Sequence, residues 1–595
     1  MPTEPKEQKK TRIIVLGGGF AGIYTARHLL QAVGRREDVE VELLSDENYF
    51  VFQPLLPEVA AGGIAATHVV NPIRELLPGV RFRCCKIHHI DFVKREVMVV
   101  QGQGLRLVAV PYDHLVFCLG KVSNFSSMPG VAEHAFAMKD LADAFKLRNH
   151  VIRCLELADI EADPKHKQAL LTFLVAGGGF SGVETIGELR ELVTRSLKHF
   201  THIKASEIKF ALVHAQDTIL PEMPMPLRVS AKRILEERNI EMILETRVRA
   251  ASPDRVYLSG DRVIDTRTFV CTVGNAPNPI AKAAMASGGF EEAKIDGRGL
   301  GIFATERTLE CVGKPGYWAV GDCAGVPSPT GKGFSPPTAQ FAIREAKYCA
   351  ENIRATLDGT PRKDFQFKAL GMLASLGQRS AVADMMGIRL SGFIAWVAWR
   401  FIYLMKLPGF GRRLRVALDW WLDLFFERDI TELKLISNAR FRVNHYEAGE
   451  QIIAEGEIGR EMYMIRAGTV EAYWDKKEGR DAKVLRTLGP GDVFGEVALL
   501  GDSPRTASVR SSGPVDLLVM SREDFLSING TFPVLSDHFG KLFQERYPKE
   551  MASASLLDVV RRSDGMDSPA VDAPASESRH LEAPVVEVAK AVAVS

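Results

Sequence analysis

Two Gly-Gly-Gly-Phe turns, each closing a short apolar run and opening a helix-forming segment, and a later stretch of short alternating strands predict an α/β chain. Its expected architecture is two nested Rossmann-like units, a helical amphipathic segment and a C-terminal β-roll. The length of 595 residues supports several units, because a single core does not extend that far. Hydrophobic residues make up 46% and charged residues 25%, the balance of a soluble globular protein. A net charge of +1 provides no global field for nucleic acid, so no nucleic-acid partner is expected. The eight cysteines form no Cys-x-x-Cys pair, which argues against a metal ribbon or a redox disulfide and fits a reducing compartment. Residues 1–10 lack an apolar centre and read as a flexible N-terminus without a targeting signal. No apolar run reaches the roughly 18 residues of a spanning helix, and the best candidate, 393–404, carries Arg400 inside it.

The first turn follows the apolar run at 13–16 and contains Gly17, Gly19 and Gly22. In such a turn the first glycine permits the tight bend, the second admits a pyrophosphate to the backbone, and the third lets helix pack on strand. An acid is expected about 20 residues on, at the end of the second strand, to take the ribose hydroxyls. Asp46 is the candidate, one residue late in register. The second turn, about 160 residues later, contains Gly177, Gly179 and Gly182, followed by Glu184. Its partner strand ends at His214 rather than an acid, which leaves NADH and NADPH both open.

Further motifs are Phe52–Ala60 with Gln53, Tyr112–Gly120, Thr272–Pro277 with Gly274, Tyr317–Asp322, and Pro336–Gln340. Their order from about 11 to 430 resembles the type II NADH dehydrogenases, NADH:quinone oxidoreductases of the two-dinucleotide-binding-domain flavoprotein superfamily. The resemblance implies an FAD-binding domain over 11–125 and 290–364 and an NAD(P)H-binding domain over 126–289. It assigns Gly17, Gly19, Gly22, Asp46, Gln53, Gly120, Asp322 and Ala339 to FAD, and Gly177, Gly179, Gly182, His214 and Gly274 to the nicotinamide nucleotide. Asp322 would bond the flavin ribityl chain, Glu184 would sit near the nicotinamide, and Gln340 would serve the quinone pocket. Where the family has a second Gln four residues beyond Gln340, this chain has Arg344.

Residues 365–435 are aromatic-rich, mostly helical in pattern, and expected to dock on a membrane. Between 412 and 426 an Arg415/Asp419/Asp423 stripe opposes Leu414, Leu418, Trp421, Leu422 and Phe425. From 436 to 545 short strands lead to Gly495, Glu496, Arg505 and Thr506, which resemble the phosphate cassette of cyclic-nucleotide-binding domains. In that resemblance helix amides and Arg505 hold the cyclic phosphate, Glu496 takes the ribose 2′-hydroxyl, and Thr506 leans toward cGMP over cAMP. Residues 550–595 read as a disordered tail.

The expected protein is a non-proton-pumping, FAD-dependent NAD(P)H:quinone oxidoreductase with a cyclic-nucleotide input. It would sit peripherally on the cytoplasmic side of a bacterial inner membrane, and the family admits a homodimer. A reductase of a soluble electron carrier and a redox sensor with incidental turnover are the alternatives.

Overall fold

The computed structural model describes residues 10–525, apart from 103–105, 126, 253, 330–332, 434–441, 447, 450, 460, 475–480, 497–503, 514 and 523. The expected N-terminal arm, the tail after 550 and the helix after Glu496 lie outside the described residues. The chain divides into two compact units, 1–97 with 110–433, and 98–109 with 434–595.

The first unit begins with β1 (Thr11–Leu16), α1 (Phe20–Val33), β2 (Val39–Ser45), β3 (Arg81–Cys84) and β4 (His114–Phe117). A second α/β block follows as β5 (Thr172–Ala176), α2 (Phe180–Ser196), β6 (Lys209–Val213), β7 (Ile240–Ile243) and β8 (Thr268–Cys271). The chain then returns as β9 (Tyr317–Ala319) and α3 (Ala339–Leu357). The first sheet has the order β9-β4-β1-β2-β3, the second β7-β6-β5-β8, and both are parallel. The second sheet is thus inserted between two strands of the first. Strands such as Ile13–Leu16 and Phe173–Val175 are buried along their whole run, as expected when helices cover both faces of a parallel sheet. The two crossings between the sheets run side by side, Lys121–Ser123 pairing antiparallel with Asn275–Pro277.

Residues 371–392 depart from the helical pattern read for 365–435. They form an antiparallel meander, β10 (Gly371–Ser375), β11 (Ala381–Met385) and β12 (Ile388–Gly392). Gly371 begins this meander, and Gly377 and Gly387 lie in its two turns, all three at positive φ. Only then do α4 (Phe393–Lys406) and α5 (Phe410–Leu422) follow.

The second unit holds two four-stranded antiparallel sheets. One is built from Arg442–Tyr446, Glu461–Ala467, Val493–Phe494 and Val515–Ser521, the other from Gln451–Ile453, Val470–Trp474, Lys483–Leu488 and Ser508–Ser511. Ile465, Val470, Leu517 and Val519 fill the space between them, the expected β-roll.

Candidate active site

Both glycine turns are closed so tightly that no side chain fits. A Cβ on Gly17 (φ +107°) would lie 2.4 Å from the Cys118 carbonyl oxygen, and one on Gly22 1.8 Å from that of Gly17. In the second turn a Cβ on Gly177 (φ +120°) would lie 2.2 Å from Thr272 Oγ1, and one on Gly182 1.8 Å from the Gly177 carbonyl oxygen. Gly19 and Gly179 are different. Each is the N-cap of its helix, offers no side-chain cap, and faces open space where a Cβ would project. The first-turn amides of α1 and α2 therefore face two open cradles suited to an anion. These cradles fit the pyrophosphates of two dinucleotides.

The ends of the second strands are in matching register. Gly17 N–H donates to Leu44 O at 2.8 Å, and Gly177 N–H to Val213 O at 2.9 Å. Ser45 and His214 are therefore equivalent, each packed on the middle glycine of its turn, with Ser45 Oγ and the His214 ring both 2.6 Å from where a Cβ on Gly18 or Gly178 would sit. Ser45 thus occupies the strand-end position, and Asp46, the candidate for the ribose hydroxyls, is exposed one residue beyond it, the offset its register predicts.

The other anticipated residues gather along the ends of the same strands. Gly120 (φ +63°) follows β4 with open space around it. Gly274 accepts a backbone bond from Asn124 at 2.6 Å, tying the two crossings together. Asp322 lies in the turn after β9, and the preceding Gly321 N–H donates to the buried Glu345 at 2.8 Å. Burial pushes that carboxyl up to about 7. Gln53 donates to Lys139 O at 3.1 Å. Ala339 and Gln340 open α3, and the Gln340 amide accepts from Leu370 N–H (2.6 Å) and donates to Gly371 O (3.2 Å), clamping the segment that enters β10.

Glu184, in the first turns of α2, is buried against the meander and α4. Its carboxylate accepts from Ser375 N–H at 3.0 Å and from the Trp399 indole at 3.3 Å. Burial pushes it up to about 8. Sequence reasoning missed what surrounds it. One helical turn on, Glu188 meets Arg428 at 3.4 Å, and Arg428 also binds Asp423 at 3.2 Å. The Arg400 guanidinium lies over Trp396 and Trp420 at 4.1 and 4.8 Å, while the Trp420 indole donates to the buried Glu58. The only sequence signal was a set of charges inside apolar segments, most plainly Arg400.

The titration of Glu184 has a measurable consequence. Its folded carboxyl binds a proton more tightly than the ordinary value of 4.5, so its cost to stability is absent below about pH 4.5, grows up to about pH 8, and is constant above. Gln keeps an acceptor oxygen without the charge. Glu184→Gln should raise the thermal midpoint at pH 8.5, by an effect on the order of 5 kcal/mol at most, and leave it little changed at pH 4.5, as melts at the two pH values would show.

The two acids of the polar stripe face inward, while Arg415 is exposed. Asp419 accepts from Ala65 N–H at 3.2 Å and lies 2.6 Å from His68 Nδ1, and Asp423 pairs with Arg195 at 2.7 Å. The outward faces of α4, α5 and the turn after α5 carry Phe393, Phe401, Leu414, Leu418, Trp421 and Phe425, all more than half exposed.

In the roll, Arg505 donates to the carbonyls of Gly495 (2.6 Å) and Glu461 (2.7 Å), Glu496 is buried, and Thr506 is exposed beside them, its carbonyl accepting from the Trp474 indole at 3.2 Å.

A family model described as pyridine nucleotide-disulphide oxidoreductase matches residues 11–346, and one described as NDH2 C-terminal domain matches 370–429. The type II NADH:quinone oxidoreductase NdhA of Mycobacterium tuberculosis is 30% identical over 424 residues, covering 69% of this chain and 87% of that protein. The chain belongs to the type II NADH:quinone oxidoreductase family. The demethylphylloquinone reductase NdbB of Synechocystis is 30% identical over 69% of this chain and 96% of its own length. The NDH2 structure from Plasmodium falciparum in complex with NADH shares the fold at a TM-score of 0.65 and 18% identity, over 71% of this chain and all of that one. In family terms, β10 to α5 are the NDH2 C-terminal domain, the part that encloses Glu184. A cyclic nucleotide-binding domain model matches 443–529, so this type II chain carries an added C-terminal module.

Proposed function

We propose that the protein is an FAD-dependent, non-proton-pumping NADH:quinone oxidoreductase working at a membrane surface. The observation that carries this reading is the pair of uncapped helix N-termini, each behind a glycine turn in which the first and third glycines admit no Cβ. FAD, held by the first turn with Gly120, Asp322 and Ala339, supplies the two-electron carrier between NADH and quinone. The second turn, with Gly274, holds NADH and orients its nicotinamide, which converts hydride transfer into an effectively unimolecular step. The balance is one hydride out of NADH and two electrons with two protons into the quinone, so one proton is taken from solvent. Glu184, held by Ser375 and Trp399, would sit near the nicotinamide, and Gln340 fixes the approach to β10 on the acceptor side.

The outward aromatic faces of α4 and α5 suit an interfacial position, since Asp419 and Asp423 are turned into the protein while the exposed charges, Lys406 and Arg415, are basic. Among the described residues no helix is long and apolar enough to cross a membrane. The cytoplasmic leaflet is the side on which NADH is available. Replacing Phe401, Trp421 and Phe425 by Ser should abolish co-sedimentation with liposomes while the bound flavin is retained. Unchanged sedimentation would remove the docking role.

Gly495, Glu496, Arg505 and Thr506 are proposed to bind a cyclic nucleotide. Calorimetry with cAMP and cGMP should show binding that Arg505→Ala weakens by about tenfold or more. A regulatory role further requires that the nucleotide alter quinone turnover or liposome binding.

The enzymatic reading is tested by steady-state turnover with a short-chain quinone against a ferredoxin. Quinone reduction by NADH is expected. Preference for the ferredoxin would make the protein a reductase of a soluble carrier, and no turnover with either would favour a sensor.

A further inference from the structure

His214 occupies the position, at the end of β6, from which the second strand of a dinucleotide fold reaches the adenosine ribose. Its ring packs on Gly178, whose N–H donates to its Nδ1 at 3.1 Å. A backbone N–H can only donate, so Nδ1 is the acceptor and the neutral ring carries its proton on Nε2. That Nε2 is buried and has no hydrogen-bond partner. A buried N–H left unpaired costs free energy, so the fold holds a donor in reserve beside the glycine turn.

We propose that His214 makes the second crevice selective for NADH over NADPH, its Nε2–H donating to the adenosine ribose 2′-hydroxyl while the charges acting on the ring are acids, which disfavour a 2′-phosphate. This rests on the reading of that crevice as the nicotinamide-nucleotide site. Burial holds the imidazole below its ordinary value, so it is neutral at pH 7 and carries no charge for a phosphate. The charged groups that act on the ring are Glu222 and Asp217, both acids on the loop leaving β6. A 2′-phosphate would bring about two further negative charges toward them. A single neutral donor matches a hydroxyl, whereas a phosphate calls for Arg or Lys. The equivalent Ser45 of the first unit is also uncharged, so neither crevice uses the usual acid at this position.

The test separates the ribose end from the redox chemistry. ADP-ribose and 2′-phospho-ADP-ribose are titrated calorimetrically into the flavin-loaded full chain, alongside kcat/KM for NADH and NADPH. The wild type should bind ADP-ribose about tenfold or more tightly than its 2′-phosphate. His214→Arg should narrow or invert that ratio by about tenfold, a gain of affinity that misfolding cannot produce. The kcat/KM ratio for the two nucleotides should move with it, through KM rather than kcat. Equal affinity in the wild type, or an unchanged ratio in His214→Arg, would overturn the proposal. Selective ADP-ribose binding without quinone turnover would sink the enzymatic reading and leave this inference standing. Binding of neither ligand would remove the crevice assignment and the inference with it.

Discussion

Gly182→Ala should give a yellow protein that NADH cannot bleach, and Gly22→Ala a protein without flavin absorbance. In each case the added Cβ would lie 1.8 Å from the carbonyl oxygen of the first glycine of its own turn. Two backbone segments meet there, so no side-chain rotation relieves the clash. The helix must shift off the strand, and its N-terminal amides move away from the pyrophosphate they are placed to hold. A displacement of about 1 Å in such a frame costs on the order of a hundredfold in rate. The two turns sit on different sheets, so the effects should be separable. Gly182→Ala should keep its FAD and lose NADH-dependent reduction by about a hundredfold or more in stopped flow. Gly22→Ala should lose FAD on purification. Loss of both cofactors in both variants would mean that the sheets do not bind independently.

Arg428→Ala should be the most destabilising change in the buried polar cluster. The guanidinium is 5% exposed and lies between Glu188, also 5% exposed, and Asp423, at 12%. It also donates to Ala61 O at 3.1 Å. Removing it leaves Glu188 without its cation in a space closed to water, with Glu58, Glu191 and Arg400 the remaining charges acting on it, while Asp423 keeps Arg195 at 2.7 Å. Breaking a buried pair from one side typically costs about 3–5 kcal/mol. A markedly lower thermal midpoint is expected, with part of the loss recovered in Arg428→Ala/Glu188→Gln, which removes the stranded charge as well. A double variant no more stable than the single one would show that lost packing, not charge, dominates.

What the sequence made legible and what it hid follow from how local each determinant is. Gly17, Gly22, Gly177 and Gly182 are required by contacts within a single strand-turn-helix, so a linear reading found them. The one-residue offset of Asp46 was also legible, because the apolar run ending at Leu44 marks the end of the pairing of β2 with β1, where Leu44 stands opposite Leu16. Residues 371–392 were hidden because Met, Leu and Ala runs fit either period, and the turns at Gly377 and Gly387 sit inside an aromatic-rich stretch. The helix at 410–422 showed two distinct faces, but periodicity cannot say which one packs on protein. His68 and Arg195, distant in sequence, decide it by taking Asp419 and Asp423. The cluster of Glu58, Glu188, Arg400 and Arg428 draws on segments hundreds of residues apart, and no local pattern announces it.

The most direct test of two cofactors acting as one centre is an anaerobic titration of the purified holoprotein with NADH, followed by a quinone. One equivalent of NADH per flavin should bleach the visible absorbance, and one equivalent of quinone should restore it. A protein that carries flavin yet stays oxidised under excess NADH would contradict the account, because the two glycine turns would then not bring their dinucleotides into reach of each other.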